Sequence, residues 1–73
     1  QAALNALLAA YRDQVDWLLM QALEYEAKTR RVMARAEGGE VDLSAEIAAE
    51  YRHKAGNLQA IIAAYERLHA KGM

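Results

Sequence analysis

The sequence predicts an all-α fold, an antiparallel two-helix hairpin that is coiled-coil-like and dimerises into a four-helix bundle. Three observations lead to this prediction. The chain of 73 residues contains no proline that could interrupt a helix, and it is rich in alanine, the strongest helix former. Its large apolar residues recur at the alternating spacings of a heptad repeat. Its apolar surface is also wider than one partner helix can cover.

The first helix is predicted over about residues 2–37, because one heptad stripe runs through this range. The members of the stripe are Leu4, Leu8, Tyr11, Val15, Leu18, Ala22, Tyr25, Thr29, Val32 and Ala36. The predicted stop is the glycine pair Gly38-Gly39, since glycine readily ends a helix. Basic residues shortly before this pair suit the negative end of the helix dipole.

The second helix is predicted over about residues 44–71, after a loop at about residues 38–43. Its heptad stripe is Ile47, Tyr51, Lys54, Leu58, Ile61, Tyr65 and Leu68. Asp42 and Ser44 are both good N-cap residues, and Ser44 is favoured slightly, with Glu46 in the first turn. The whole range 1–73 is predicted to form a single helical hairpin.

An ion pair between Glu26 and Lys54 is predicted across the hairpin. A turn centred near residue 40 brings these two charges together and places Val15 opposite Tyr65. Both charges fall on apolar faces, where a half-buried partner would explain them. The alternative is that Lys54 extends its amine into water.

An interface with a further partner is predicted on two surfaces. A hairpin of this size buries little core, so apolar surface outside the main stripe indicates association. A row of small residues on the second helix allows close contact with another helix. Lateral packing of the tryptophan against its own helix and a solvated alanine face are the alternatives. The predicted interface residues are Trp17, Leu19, Met20 and Leu23, with Ala49, Gly56, Ala60 and Ala63.

Catalytic chemistry is not predicted, and neither are a cofactor or a small-molecule substrate. Cysteine is absent and Ser44 is the single serine, so no nucleophile with a nearby base can be recognised. Two Glu-x-x-His motifs, Glu50 to His53 and Glu66 to His69, have the spacing of di-iron bundle ligands. Both lie on the same predicted helix, about 24 Å apart, so within one chain they cannot share a site. A Glu/His metal-binding bundle is kept as an alternative function.

Nucleic-acid binding is a second alternative. Lys28, Arg30, Arg31 and Arg35 form a basic patch toward the loop, which would suit an RNA-binding hairpin dimer. Acidic residues in the same half of the chain oppose this patch. The formal net charge of the chain is −1, which disfavours a general nucleic-acid or anionic-membrane binder.

The predicted function is protein–protein association, by a non-enzymatic adaptor, chaperone-like or assembly module of bacterial type. The expected partner is a second copy or another helical protein. In shape the chain resembles the co-chaperones of type III secretion needle subunits and the plasmid copy-number hairpins. Through its Glu-x-x-His motifs it is similar to encapsulated ferritin-like hairpins. Neither a membrane span nor a signal peptide can be recognised, and a cytoplasmic location is expected.

Overall fold

Two long helices and a small antiparallel sheet between them make up the structure, a computed structural model that describes residues 2–71. The ends of the predicted 1–73 domain therefore lie outside the described residues. The described part is elongated and measures 60 × 18 × 16 Å. Its elements in chain order are α1 (Ala2–Glu26), β1 (Met33–Ala36), β2 (Gly39–Asp42) and α2 (Ser44–Lys71).

The prediction of an all-α hairpin is wrong for residues 27–43. Helix α1 ends at Glu26, well before the predicted end near residue 37. Lys28 has a φ of 63°, in the left-handed region, and the N–H of Thr29 donates to the carbonyl of Glu24 at 3.0 Å. A left-handed residue with such a backward hydrogen bond closes the last turn of a helix. Glycine usually occupies this position, so a lysine there gave no signal in the sequence.

The glycine pair forms the turn of a β-hairpin and does not end a helix. Strand β1 pairs antiparallel with β2, with Met33 opposite Asp42 and Ala36 opposite Gly39. Residues 37 and 38 connect the strands. Gly38 and Gly39 have φ angles of 91° and 131°, which residues with a side chain rarely adopt. We call residues 33–42 the tip hairpin.

Ser44 joins the tip hairpin to α2. Its side chain is fully buried, and its Oγ accepts a hydrogen bond of 3.1 Å from the N–H of Val32. The N–H of Ser44 in turn donates to the carboxylate of Asp42 at 2.9 Å. The capping side chain at the start of α2 is therefore Asp42, and the slight preference for Ser44 as the N-cap is corrected. The Ser44 hydroxyl instead serves a backbone group outside the helix.

The core lies between α1 and α2 in two clusters. The larger cluster is made by Leu8, Val15, Leu18, Ala55 and Ile62. The smaller cluster, beside the tip hairpin, is made by Ala22, Tyr25 and Ala48, with Val32 packed against it. Ala22, Ala48 and Ala55 are almost wholly buried, so the two helices lie close together where these alanines meet. The α1 members of both clusters belong to the predicted heptad stripe. On α2 the predicted stripe is displaced by one residue, because buried Ala48, Ala55 and Ile62 each follow a predicted member, whereas Lys54, Ile61 and Leu68 are exposed.

The register between the helices differs from the predicted one by two to four residues. Tyr65 stacks on Tyr11, with ring centroids 6.5 Å apart, and therefore does not lie opposite Val15 as predicted. The rings of Tyr25 and Trp17 each lie 5.9 Å from the ring of Tyr51. The shift arises because the chain reverses at residues 37 and 38, before the predicted turn centre near residue 40.

The shifted register also changes the predicted ion pair. Glu26 accepts two hydrogen bonds from Arg52, of 2.6 and 2.7 Å, and not from Lys54. The amine of Lys54 lies 5.9 Å from the centre of the Tyr51 ring. Hydrogen bonds from Arg52 lower the pKa of Glu26, and the same contact raises the pKa of Arg52. Both side chains are partly exposed, so the pair lies on the surface and is not buried.

Acid should weaken the cap of α2. Hydrogen bonds from the Ser44 hydroxyl and backbone, and then from Lys28, lower the pKa of Asp42 from 3.8 to about 2. A lowered pKa in the folded state stabilises the fold above pH 3.8, and this contribution is lost as the pH falls toward about 2. Asp42→Asn should therefore be less stable than the wild type near neutral pH, with a difference that shrinks toward pH 2. Urea unfolding followed by circular dichroism at several pH values measures this, and a pH-independent difference would contradict it.

Candidate functional site

Three large apolar side chains of α1 stand exposed outside its buried stripe. Trp17, Met20 and Leu23 are 53%, 58% and 58% exposed. Residues three apart are neighbours on a helix surface, so the three side chains form one continuous row. We call this row the outer ridge. Soluble proteins seldom leave such a row in water unless a partner covers it.

Contacts within the chain leave the outer ridge largely uncovered. The Trp17 ring meets the Tyr51 ring edge to face, yet more than half of the side chain remains exposed. This contact joins Trp17 to the other helix, whereas the alternative that the sequence left open was packing against its own helix. Leu19 behaves differently, because it is partly buried and packs against the larger core cluster. Leu19 therefore belongs to the margin of the core, and the outer ridge comprises the other three predicted residues of α1.

Acidic side chains surround the outer ridge. Asp16 and Glu24 lie one turn before and one turn after Met20, and Asp13 lies one turn before Trp17. Within residues 2–71, none of these three carboxylates takes part in an ion pair. The ridge is therefore an apolar surface with an acidic rim.

The outward side of α2 is flat. The predicted small residues on this helix, which we call the small-residue surface, are all exposed: Ala49, Gly56, Ala60 and Ala63. A Cβ atom built on Gly56 meets no atom within 4 Å, so packing within the chain does not require glycine there. His53 lies next to Gly56, and Arg67 lies next to Ala63. Glu46 lies beside Ala49 at the other end of the surface.

Half of the predicted basic patch is engaged within the chain. Lys28 donates to the carboxylate of Asp42 at 3.2 Å. The guanidinium of Arg30 lies 4.9 Å from the centre of the Tyr25 ring and donates to the side chain of Gln21. Arg31 and Arg35 are exposed. Within residues 2–71, two of the four cations of the patch therefore take part in no ion pair.

Metal-ligating side chains do not converge in the described part of the chain. Within residues 2–71, no group of three or more His, Cys, Asp or Glu side chains is placed to hold a metal ion. Glu66, from one Glu-x-x-His motif, is bound by Arg12. The grooves between the helices are shallow. One, of about 350 Å³, is lined by Arg12, Val15, Asp16, Gln59 and Ile62.

Neither of the two helices, within residues 2–71, combines the length and apolar character needed to cross a bilayer.

Comparison with known proteins yields no relative. No protein-family model, no curated protein and no solved structure matches the chain. The geometry of the outer ridge, its acidic rim and the small-residue surface therefore carries the functional argument.

Proposed function

We propose that the chain is a non-enzymatic protein–protein association module that binds a helical partner through the outer ridge. The single observation that carries this proposal is the exposure of Trp17, Met20 and Leu23 as one continuous apolar row. Tryptophan and methionine are enriched at the centres of protein interfaces, where they act as anchors. The row follows a straight helix and therefore suits another helix laid along it.

The energetics of covering the ridge favour a reversible complex. The exposed parts of the three side chains amount to on the order of 300 Å². Burying this surface and an equal area of the partner contributes on the order of 15 kcal/mol at about 25 cal/mol per Å². Losing the freedom of two molecules costs roughly 4–15 kcal/mol. The difference, about 0–11 kcal/mol, includes the roughly 8 kcal/mol of a complex that forms at micromolar concentration.

Replacing Met20 by glutamate should weaken association at least tenfold without unfolding the chain. Met20 is exposed at the centre of the outer ridge, so the new charge costs little in the isolated chain but is desolvated in a complex. Circular dichroism should give the helix content of the wild type, and equilibrium sedimentation should give the loss of affinity. Ala9→Glu is the matched control. Ala9 is exposed and lies three turns before Met20 on the same side of α1.

The partner can be located by photocrosslinking from the ridge. A benzophenone amino acid at Leu23, in a chain expressed in its source cells, should form a crosslinked product. The same group at Ala9 should not, and Met20→Glu should abolish the product at Leu23. The proposed function would be overturned if no crosslinked product depended on the ridge, neither one with a second copy nor one with another polypeptide.

The RNA-binding and metal-binding alternatives have less support from the geometry. An RNA-binding patch would rely on Arg31 and Arg35, since Lys28 and Arg30 bind groups within the chain. RNA retention that falls steeply with salt would favour that alternative. A metal-binding bundle would have to assemble ligands from more than one chain, and metal analysis of the purified protein tests it.

A further inference from the structure

We infer that the outer ridge of one copy binds the small-residue surface of a second copy, so that copies associate side by side. This inference rests on the proposed function and names its partner. The contact is heterologous, because each copy contributes a different surface. It therefore differs from the two-fold dimer that the sequence predicted.

The two surfaces lie on opposite sides of the hairpin. Helix α1 turns its heptad stripe toward α2, α2 turns Ala48, Ala55 and Ile62 toward α1, and the two core clusters fill the space between them. The outer ridge lies on the far side of α1, and the small-residue surface lies on the far side of α2. Since the surfaces face away from each other, one chain cannot join them internally, but two neighbouring chains can.

The two surfaces also lie at the same height along the hairpin. Arg12 pairs with Glu66 and Glu26 pairs with Arg52, so residues 12–26 of α1 run alongside residues 52–66 of α2. The outer ridge lies within the first range, and Gly56, Ala60 and Ala63 lie within the second. A second copy moved sideways without rotation therefore brings ridge and surface together. The helices then meet antiparallel, as α1 and α2 do within one chain.

The charges around the two surfaces are complementary in this arrangement. Because Arg12 pairs with Glu66, the residues that follow them, Asp13 and Arg67, lie at nearly the same height along the hairpin. Glu24 comes level with His53 at the other end of the ridge, since Glu26 pairs with Arg52. In a complex, Asp13 thus faces the permanently charged Arg67, and Glu24 faces His53, which can donate a hydrogen bond. A ridge-to-ridge dimer would instead bring two acidic rims together, which like-charge repulsion opposes.

The side-by-side arrangement also matches the shapes of the two surfaces. The ridge projects three large side chains, and the surface opposite has only hydrogen or methyl groups at its centre, so the helices can approach closely. A dimer formed in this way keeps one free ridge on one copy and one free small-residue surface on the other. A heterologous contact therefore extends into a row of hairpins or closes into a ring, and the mass should grow beyond a dimer.

The test uses two variants that each block one surface. Met20→Glu blocks the ridge and Ala60→Glu blocks the small-residue surface. Both residues are exposed, and glutamate is a good helix former, so both variants should fold with wild-type helix content. Each variant alone should associate at least tenfold more weakly than the wild type in sedimentation velocity. An equimolar mixture should form a one-to-one heterodimer, since the mixture contains one intact ridge and one intact surface.

Native mass spectrometry, with one variant isotopically labelled, identifies this heterodimer and should find no larger species in the mixture. Ala9→Glu should assemble as the wild type does. A mixture that stays monomeric, or Ala60→Glu assembling like the wild type, would overturn the inference. A wild type that is monomeric at every concentration would also overturn it, whereas the photocrosslink at Leu23 still decides the proposed function separately.

Discussion

Replacing Leu18 by alanine should lower the free energy of unfolding by about 2–5 kcal/mol, the range seen when large aliphatic side chains are removed from a core. Leu18 is buried in the larger core cluster, between Val15 on its own helix and Ala55 and Ile62 on α2. Alanine there leaves a cavity that two long helices cannot close without sliding. A chain this short has only a few kcal/mol of net stability, so the variant should be largely unfolded at room temperature.

Urea unfolding followed by circular dichroism gives the comparison, at one low chain concentration because association also stabilises the folded state. Leu68→Ala is the matched control. Leu68 is 65% exposed, so the same chemical change should alter stability by less than about 1 kcal/mol. Equal losses for the two variants would contradict the packing described for α1 and α2.

Replacing Ser44 by alanine should cost about 1–3 kcal/mol, although it removes a single oxygen atom. The change leaves the N–H of Val32 without its acceptor and takes the hydroxyl hydrogen bond away from Asp42. Buried donors without partners are costly because water cannot replace the lost bond. The loss should centre on the connection between the tip hairpin and α2.

Hydrogen exchange of the Val32 amide tests this local effect, and urea unfolding tests the global one. The Val32 amide should exchange faster in Ser44→Ala, whereas amides at the middle of α1 should change only with global stability. Thr29→Ala is the control, since Thr29 is exposed and its hydroxyl has no recorded partner in the described residues. Unchanged exchange at Val32 would contradict the role given to Ser44.

The helical part of the fold follows from the sequence pattern. The heptad stripe identifies the buried residues of α1, because burial against one partner helix repeats at that spacing. Leu8, Val15 and Leu18 are buried members of the stripe. Helix α2 occupies Ser44–Lys71, the range that its pattern predicts.

The tip hairpin could not be predicted by the same reasoning. Met33, Ala34, Arg35 and Ala36 are residues compatible with a helix, and the apparent heptad continued through Val32 to Ala36. Their conformation is decided by residues outside the strand. Lys28 ends α1 in a left-handed turn, and buried Ser44 binds the backbone at Val32. Two consecutive glycines are compatible with a helix end and with a hairpin turn alike. Their positive φ angles settle the choice for the hairpin.

The candidate site was partly visible in the sequence. The excess apolar width of the first helix identified Trp17, Met20 and Leu23, since a helix of a hairpin needs only one stripe. It could not separate Leu19 from them, because Leu19 lies at the edge of the stripe and its burial depends on the neighbouring helix. The acidic rim lies at the same height as Arg67 and His53 because of the register between α1 and α2. The tip hairpin sets this register, so the sequence pattern alone did not give it.

The most direct test of the central claim is the molar mass of the wild-type chain as a function of concentration, measured together with its tryptophan emission. Trp17 is the single tryptophan, so its emission reports on the outer ridge alone. If a second copy covers the ridge, the mass should rise above that of one chain across the micromolar range. The emission should shift to shorter wavelength in parallel, and Met20→Glu should show neither change. A chain that keeps the mass of a monomer and an unshifted Trp17 emission up to high micromolar concentration would contradict the claim.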